Sequence, residues 1–137
     1  MRIVTIFAAL LLSLPALAAD KPCTKADAAN AQKGLDRASS WAQMHKTWQE
    51  FRHCDADASA DQFTDALMRL IIDWKNVGDF AGTLQKDAKF KEFVHAHLRS
   101  PAAKADLEDV YARAKSQCPQ GLDAFCTELA DAAKPKK

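Results

Sequence analysis

The sequence predicts an all-α fold, a compact bundle of five to seven short helices linked by two disulfides. Apolar residues recur at steps of three and four along most of the 137-residue chain, which is the spacing of one helix face. No stretch alternates apolar and polar residues, and no Asn-Gly or Asp-Gly turn joins two apolar runs, so nothing favours a sheet. The four cysteines form an even set that allows two disulfides.

Residues 1–19 have the pattern of a cleaved signal peptide. Arg2 provides a positive charge before an apolar run over 3–14, and the small residues of 16–19 suit cleavage after Ala18 or Ala19. The apolar run is too short for a membrane span, so we expect no stable membrane anchor. We therefore predict a soluble periplasmic or secreted protein, in a compartment where disulfides persist.

The first two helices are expected over 25–38 and 40–53, with a turn near Ser39. One uninterrupted helix would separate Cys23 from Cys54 by roughly 46 Å, whereas a disulfide needs Cα atoms within about 7 Å. A hairpin with arms of nearly equal length brings the two cysteines together at its open end. We therefore predict a Cys23–Cys54 disulfide, which supports a first helix whose apolar face is mostly alanine.

The acidic run from Asp55 to Asp61 precedes the third helix. Its oxygen-bearing residues fit positions 1, 3, 5 and 7 of a calcium loop, but Ala60 and Ala66 stand where such a loop needs Gly and Glu. We therefore expect a turn and an N-cap, where the helix dipole favours carboxylates. The most regular apolar stripe follows, formed by Phe63, Ala66, Leu67, Leu70, Ile71 and Trp74.

Further helical segments are predicted in the second half of the chain. A turn or two surrounds Phe80, the next helix begins at Asp87 as its N-cap, and another begins at Pro101 and ends at Cys118. The last helix starts near Leu122.

The second disulfide is predicted between Cys118 and Cys126. Inside one helix these cysteines would lie about 12 Å apart, which is too far for a bond. Pro119 and Gly121 are suitable residues to end one helix and turn the chain into the next. The predicted pairing is therefore Cys23 with Cys54 and Cys118 with Cys126.

Residues 20–133 are predicted to form a single helical domain, followed by a basic tail at 134–137. The chain has 19 Lys and Arg against 18 Asp and Glu, and Arg2 lies in the predicted signal, so the mature charge is formally zero. A nucleic-acid-binding domain normally has a basic excess. We therefore expect no nucleic acid among its partners.

The histidines and cysteines have no spacing typical of a metal site, and no CxxC or HxxxH occurs. His95 and His97 point about 200° apart on one helix, so they cannot bind one ion. We expect His97 to be a hydrogen-bonded histidine at the edge of the core, and His45 and His53 to be surface groups. No metal and no cofactor is expected.

No motif for nucleophilic catalysis or phosphate binding occurs, and the cysteines are expected to be oxidised. We therefore assign no catalytic residue and predict that the protein is not an enzyme.

The large aromatic residues are the remaining candidates for a binding surface. Most are expected to fill the core, because a domain of this size needs large side chains in its interior. Trp41 lies near the first predicted turn, where exposure is easiest, and is the first candidate for a contact residue. Trp48, Phe51 and Trp74 are candidates to line an apolar groove between helices.

Several segments are similar to those of a family of small exported helical proteins of Gram-negative bacteria. The resemblance covers most of the predicted mature chain and implies the compartment and the fold; it assigns no activity. The segments are His53–Asp57, Asp65–Leu70 before Trp74, Phe90–Val94 before His97, and Cys118-Pro119 with Cys126.

The functional hypothesis is a periplasmic protein-binding module, such as an immunity or inhibitor protein against a toxin or a cell-wall enzyme. An exported, disulfide-linked domain lowers the entropic cost of association, which suits an inhibitor. Its partner would be another exported protein. The alternative is a periplasmic stress chaperone, or a carrier of small apolar ligands that uses the groove of Trp48, Phe51 and Trp74.

Overall fold

The computed structural model describes residues 21–135, so the predicted signal peptide and the end of the basic tail lie outside it. The predicted all-α class with two disulfides is confirmed, and the described residues contain no strand. Two short 3-10 helices, Arg52–Cys54 and Pro101–Ala103, accompany the α-helices. The α-helices are α1 (Lys25–Arg37), α2 (Trp41–Phe51), α3 (Asp57–Asp73), α4 (Val77–Lys86), α5 (Ala88–Leu98), α6 (Leu107–Ser116) and α7 (Asp123–Ala133).

Helices α1 and α2 form the predicted hairpin. Thr24 and Asp27 make a capping box, in which the Thr24 hydroxyl accepts from Asp27 N–H at 3.0 Å and the Asp27 carboxylate accepts from Thr24 N–H at 3.3 Å. The Ser40 hydroxyl caps α2. The two arms end side by side, and the predicted disulfide between Cys23 and Cys54 is confirmed, with Cα atoms 4.9 Å apart.

The two arms of this hairpin approach closely at Gly34. A Cβ atom at this position would lie only 2.8 Å from Cγ2 of Thr47 on α2, so glycine is required by the packing.

Arg69 of α3 joins the hairpin to the rest of the molecule: its guanidinium donates to the carbonyl oxygens of Leu35 at 2.8 Å and Ala38 at 3.2 Å. These bonds satisfy carbonyl groups at the C-terminal end of α1.

The core forms around the apolar stripe of α3. Helix α3 packs against α1, α2, α5 and α6, and α4 packs between α2 and α5. Phe63 and Leu67 of α3 have no exposed surface, which confirms the predicted stripe as a core face. Other fully enclosed side chains of the core are Leu35, Met44, Phe80, Phe90, Val94, Leu98 and Val110.

The acidic run does not cap α3 as predicted. The N-cap is Ala56, and no side chain makes a capping bond there. Asp55 instead turns towards α5, where its Oδ2 atom lies 3.0 Å from Nε2 of His97. The prediction of an acidic N-cap is therefore wrong, because the Asp55 carboxylate contacts His97 and Ala56 takes the cap position. Asp57 does lie in the first turn of α3, where the helix dipole favours a carboxylate.

The segment predicted as one helix from Pro101 to Cys118 is divided. Ser100 caps a single 3-10 turn whose first residue is Pro101, and a separate helix, α6, begins at Leu107. The N-cap role of Asp87 is confirmed, because its carboxylate accepts from two N–H groups at the start of α5. Around Phe80 the predicted turn or two is a ten-residue helix, α4.

Helices α6 and α7 form a second hairpin, closed by the other predicted disulfide. The Cα atoms of Cys118 and Cys126 lie 6.0 Å apart. Gly121 has φ of 84°, a left-handed conformation that favours glycine, so the predicted turn residue reverses the chain here. Within residues 21–135, no helix combines the length and the apolar character needed to cross a membrane.

Candidate functional site

Several depressions of the described surface lie between helices α5 and α7, and one of them extends to α4. Three adjoining cavities, of about 420, 640 and 370 Å³, all include His95 of α5 and Glu128 of α7 in their walls. We call this continuous depression the α4–α5–α7 groove. It is the candidate functional site, because binding sites are concave and combine apolar surface with a few converging polar groups.

The α4 wall of the groove contains two glycines. Gly78 and Gly82 lie four residues apart, and a Cβ atom added at either position would meet no atom within 4 Å. Phe125 and Leu122, both partly buried, supply apolar surface from the α7 side. A ligand in this groove can therefore approach the α4 backbone more closely than it could approach a helix of larger residues.

The α5 wall of the groove is basic. Lys91, His95 and Arg99 follow at steps of four and so share one face of α5. Lys91 Nζ lies 2.7 Å from Oε1 of Glu128, and His95 Nε2 lies 3.5 Å from the same oxygen. One carboxylate of α7 thus faces two basic groups of α5.

The electrostatic surroundings of His95 favour its neutral form. Burial is the main cause that lowers the pKa of His95 below its ordinary value of 6.5, and Lys91 and Arg99 add to the lowering. Glu128 opposes them. At neutral pH the imidazole is therefore a neutral group at the groove wall, able to donate one hydrogen bond and accept another.

Glycine to alanine substitutions in α1 and α4 are expected to have opposite effects. Gly82→Ala should raise the free energy of unfolding by about 0.5–1 kcal/mol, because alanine favours the helix and the new methyl group enters open space. Gly34→Ala should lower it by about 1–2 kcal/mol, because the clash with the stiff, buried Thr47 side chain exceeds the gain in helix propensity.

Urea denaturation of the two variants beside the wild type measures this difference. Each change adds one methyl group within a helix, so each variant is the matched control of the other. A Gly34→Ala protein as stable as Gly82→Ala would contradict the close approach of α1 and α2.

Trp41 is not the exposed contact residue that its position near the turn predicted. Its side chain is 4% exposed and stacks on Phe80 of α4, with ring centroids 3.8 Å apart. Trp48 is also buried, against Phe90 and Phe93 of α5. The expected exposure of Trp41 is therefore wrong, because α4 and α5 cover the inner face of α2. Its role as a contact residue stays a prediction.

The other two aromatic candidates are partly buried and lie outside the α4–α5–α7 groove. Phe51 and Trp74 both pack against the core from its edge. Trp74 ends α3 in the left-handed conformation, with φ of 56°, and its indole N–H donates to the carbonyl oxygen of Gln117 at 2.9 Å. The predicted grouping of Trp48, Phe51 and Trp74 does not form a wall of any of the three cavities.

Each of the four histidines lies within 3.5 Å of a carboxylate oxygen of another segment. His45 Nε2 lies 2.8 Å from Asp87 Oδ2, and His53 Nε2 lies 3.3 Å from Asp27 Oδ2, with the His53 side chain only 10% exposed. The prediction that His45 and His53 are surface groups is therefore wrong, because both take part in partly buried contacts between helices.

The prediction that His97 is a hydrogen-bonded histidine of the core is confirmed. Its Nδ1 atom lies 2.7 Å from the hydroxyl of Thr64, and its Nε2 atom lies 3.0 Å from Asp55. The order hydroxyl, imidazole, carboxylate matches that of a nucleophile, a base and an orienting group. Thr64 is fully enclosed, however, and lines none of the three cavities, so the arrangement offers a substrate no access to the hydroxyl.

Among residues 21–135, no three His, Cys, Asp or Glu side chains come together in a group that could hold a metal ion.

Comparison with protein families, with curated proteins and with solved structures finds no match to this chain. The resemblance to small exported proteins of Gram-negative bacteria therefore stays a prediction.

The predicted helices did not indicate the α4–α5–α7 groove, because its walls come from three separate parts of the chain. Two signals of the sequence do point to it. Gly78 and Gly82 lie four residues apart in one helix, which leaves a bare stripe, and Lys91, His95 and Arg99 repeat at helical spacing. The packing of α4 against α5 brings these two features together, and α7 supplies the remaining wall of the groove.

Proposed function

We propose that this chain is an exported protein-binding module that recognises its partner with the α4–α5–α7 groove. The observation on which the proposal depends is the open backbone of Gly78 and Gly82 beside the polar wall of Lys91, His95 and Glu128. Such a mixture of accessible backbone, apolar side chains and converging polar groups suits a protruding peptide segment or loop of another protein.

The rigidity of the α7 wall supports this proposal. Cys126 is disulfide-bonded, and it lies next to Phe125 and two residues before Glu128, so the bond to Cys118 fixes the start of the helix that forms this wall. A wall held in place before association loses little conformational freedom on binding. An immunity or inhibitor protein, which must bind its target tightly, benefits most from this arrangement.

The oxidised cysteines support an oxidising compartment. The structure has two disulfides and no free cysteine, and disulfides persist in exported proteins rather than in the cytosol. Together with the predicted signal peptide, they favour the periplasm as the place of action and another exported protein as the partner. The proposal includes no catalytic activity.

The carrier or chaperone alternative has less support at neutral pH. Trp48, which was expected to line its apolar groove, is buried in the core at 5% exposure. The cavities of the α4–α5–α7 groove have charged residues in their walls. A purely apolar ligand would therefore leave several polar groups desolvated without a partner.

Filling the groove is the experiment that tests the proposal. Gly82→Leu places a large side chain in the open space above α4 without removing a good helix former. Ala42→Leu is the matched control, because Ala42 is an exposed position in α2, outside the groove. Tagged wild-type protein and both variants are incubated with the exported proteins of the source cell, and bound proteins are identified.

The proposal predicts a partner that wild type and Ala42→Leu retain equally and that Gly82→Leu loses, with its affinity at least about tenfold weaker. Circular dichroism of both variants verifies that they are folded. Retention of the same partner by Gly82→Leu, or recovery of no protein by the wild type, would contradict the proposal.

A further inference from the structure

Three of the four histidine–carboxylate pairs attach a single helix, α5. Asp87, the N-cap of α5, pairs with His45 of α2 at 2.8 Å. His97 near the other end of α5 pairs with Asp55, before α3, at 3.0 Å, and His95 faces Glu128 of α7 at 3.5 Å. Helix α5 is thus held to three neighbours by contacts of the same chemical type.

The two disulfides hold other parts of the molecule. Cys23–Cys54 closes the α1–α2 hairpin, and Cys118–Cys126 closes the α6–α7 hairpin. Neither bond includes a residue of α5, so this helix is attached only by packing and by polar contacts. Its inner face is apolar: Phe90 lies 5.1 Å from Trp48 between ring centroids, and Phe93 lies 5.7 Å from it.

We propose that α5 is an acid-released helix, which detaches from α2, α3 and α7 when acid breaks its three histidine–carboxylate contacts. The two disulfide-closed hairpins remain folded in this state. Release uncovers the apolar inner face of α5 and the aromatic residues of α2 that it covers at neutral pH. The inference does not depend on the partner proposed for the groove.

The charged groups around the His95–Glu128 pair also favour release of α5 in acid. In acid, carboxyl groups become neutral while imidazoles are charged. Lys91, His95 and Arg99 lie on one face of α5, and Glu128 is the carboxylate that Lys91 and His95 share. Like charges at steps of four repel each other.

The pair at His97 is the most enclosed. The imidazole lies 4.2 Å from the ring of Phe93 between centroids, and its polar neighbours are Thr64 and Asp55. A cation left in such a place without its carboxylate partner is costly, because water cannot replace the lost anion. The Asp55 carboxylate is therefore a polar partner on which this enclosed imidazole depends.

The pKa shifts of Asp87 and His95 agree in sign with this geometry. The hydrogen bond with His45, and then the backbone N–H of Phe90, lower the pKa of Asp87 below its ordinary 3.8. The charged Asp87 carboxylate therefore stabilises the fold at pH values above 3.8. This stabilisation is lost as the pH falls through the lowered pKa of Asp87 in the folded protein. The lowered pKa of His95 means that the folded state prefers a neutral imidazole, so stability also decreases as the pH falls below 6.5.

Hydrogen exchange of the disulfide-intact protein, between pH 7 and about pH 3, tests the proposal. Amide exchange rates are corrected for the intrinsic effect of pH and compared between α5 and the α1–α2 hairpin. We expect the α5 amides to lose protection by at least about tenfold more than the hairpin amides. A hydrophobic dye should bind over the same pH range and dissociate when the pH is raised.

Asp87→Asn is the first variant. Asparagine keeps the N-cap of α5 but removes the charge that faces His45. We expect the corrected α5 exchange at pH 7 to be about tenfold faster than in the wild type, with a smaller change on acidification. Asp27→Asn is the control, because it removes the charge of the one histidine–carboxylate pair that does not touch α5.

Loss of protection in α5 and in the hairpin together, in one transition of the wild type, would overturn the proposal. Equal effects of Asp87→Asn and Asp27→Asn on α5 would also overturn it. Should Asp87→Asn fail to fold, His45→Gln removes the same pair from its other side, and the wild-type experiment decides independently of both variants.

Discussion

Replacement of Cys23 and Cys54 together by serine is expected to lower the free energy of unfolding by about 3.5–4 kcal/mol. The disulfide joins residues 31 apart in sequence, so its loss restores much conformational freedom to the unfolded chain. It also frees the open end of a hairpin whose first helix buries only two residues, Ala31 and Leu35. For a domain of ordinary stability this is a large part of the total.

The matched comparison is the double serine variant of Cys118 and Cys126. These residues are only eight apart, so removing their bond frees a shorter loop and should cost about 2.5 kcal/mol. Urea denaturation of both variants at pH 7 measures the two losses. If the Cys118–Cys126 variant loses more free energy of unfolding than the Cys23–Cys54 variant, this would contradict the expectation that the bond closing the longer loop stabilises more.

Trp41→Ala is expected to lower the free energy of unfolding by about 3–5 kcal/mol, the cost typical of removing a large aromatic side chain from a core. The indole is almost fully buried and stacks on Phe80, so its removal leaves a cavity between α2 and α4. Thermal or urea unfolding of the variant measures the loss.

Trp41→Phe is the control for this prediction, because it keeps an aromatic ring and should cost clearly less than alanine. A loss below about 1 kcal/mol for Trp41→Ala, the size typical of surface substitutions, would mean that the side chain is exposed in solution. That result would restore Trp41 as a candidate contact residue.

The sequence predicted the hairpins because their cysteines impose a geometric test. Cys23 and Cys54 can bond only if the chain reverses between them, and Cys118 and Cys126 can bond only if a turn ends the helix. The same holds for Asp87, whose capping role depends on residues next to it in sequence. Local chemistry and disulfide geometry therefore determine much of this fold.

The burial of Trp41 could not be predicted by the same reasoning. Nearness to a turn does not specify which helix will cover a side chain, and here α4 arrives from about forty residues away in sequence to supply Phe80. The partners of the histidines were missed for the same reason. His45 and Asp87 are 42 residues apart, so only the tertiary packing of α2 against α5 joins them.

The α4–α5–α7 groove shows how little of the candidate site can be predicted from the sequence alone. Its glycine stripe and its basic stripe are each visible as spacings in the sequence, but such spacings also occur on ordinary solvated helix faces. Their significance comes from the position of Glu128, which faces Lys91 and His95 across the groove. A site assembled from three helices needs their packing to be known.

The central claim is that two disulfide-closed helical hairpins frame this domain. Disulfide mapping of the purified, unreduced protein tests it most directly. Proteolysis under non-reducing conditions, followed by mass spectrometry, should yield one peptide pair that links Cys23 to Cys54 and one that links Cys118 to Cys126, with no alkylated thiol. Free thiols, or a bond between the first and the second pair of cysteines, would contradict the account.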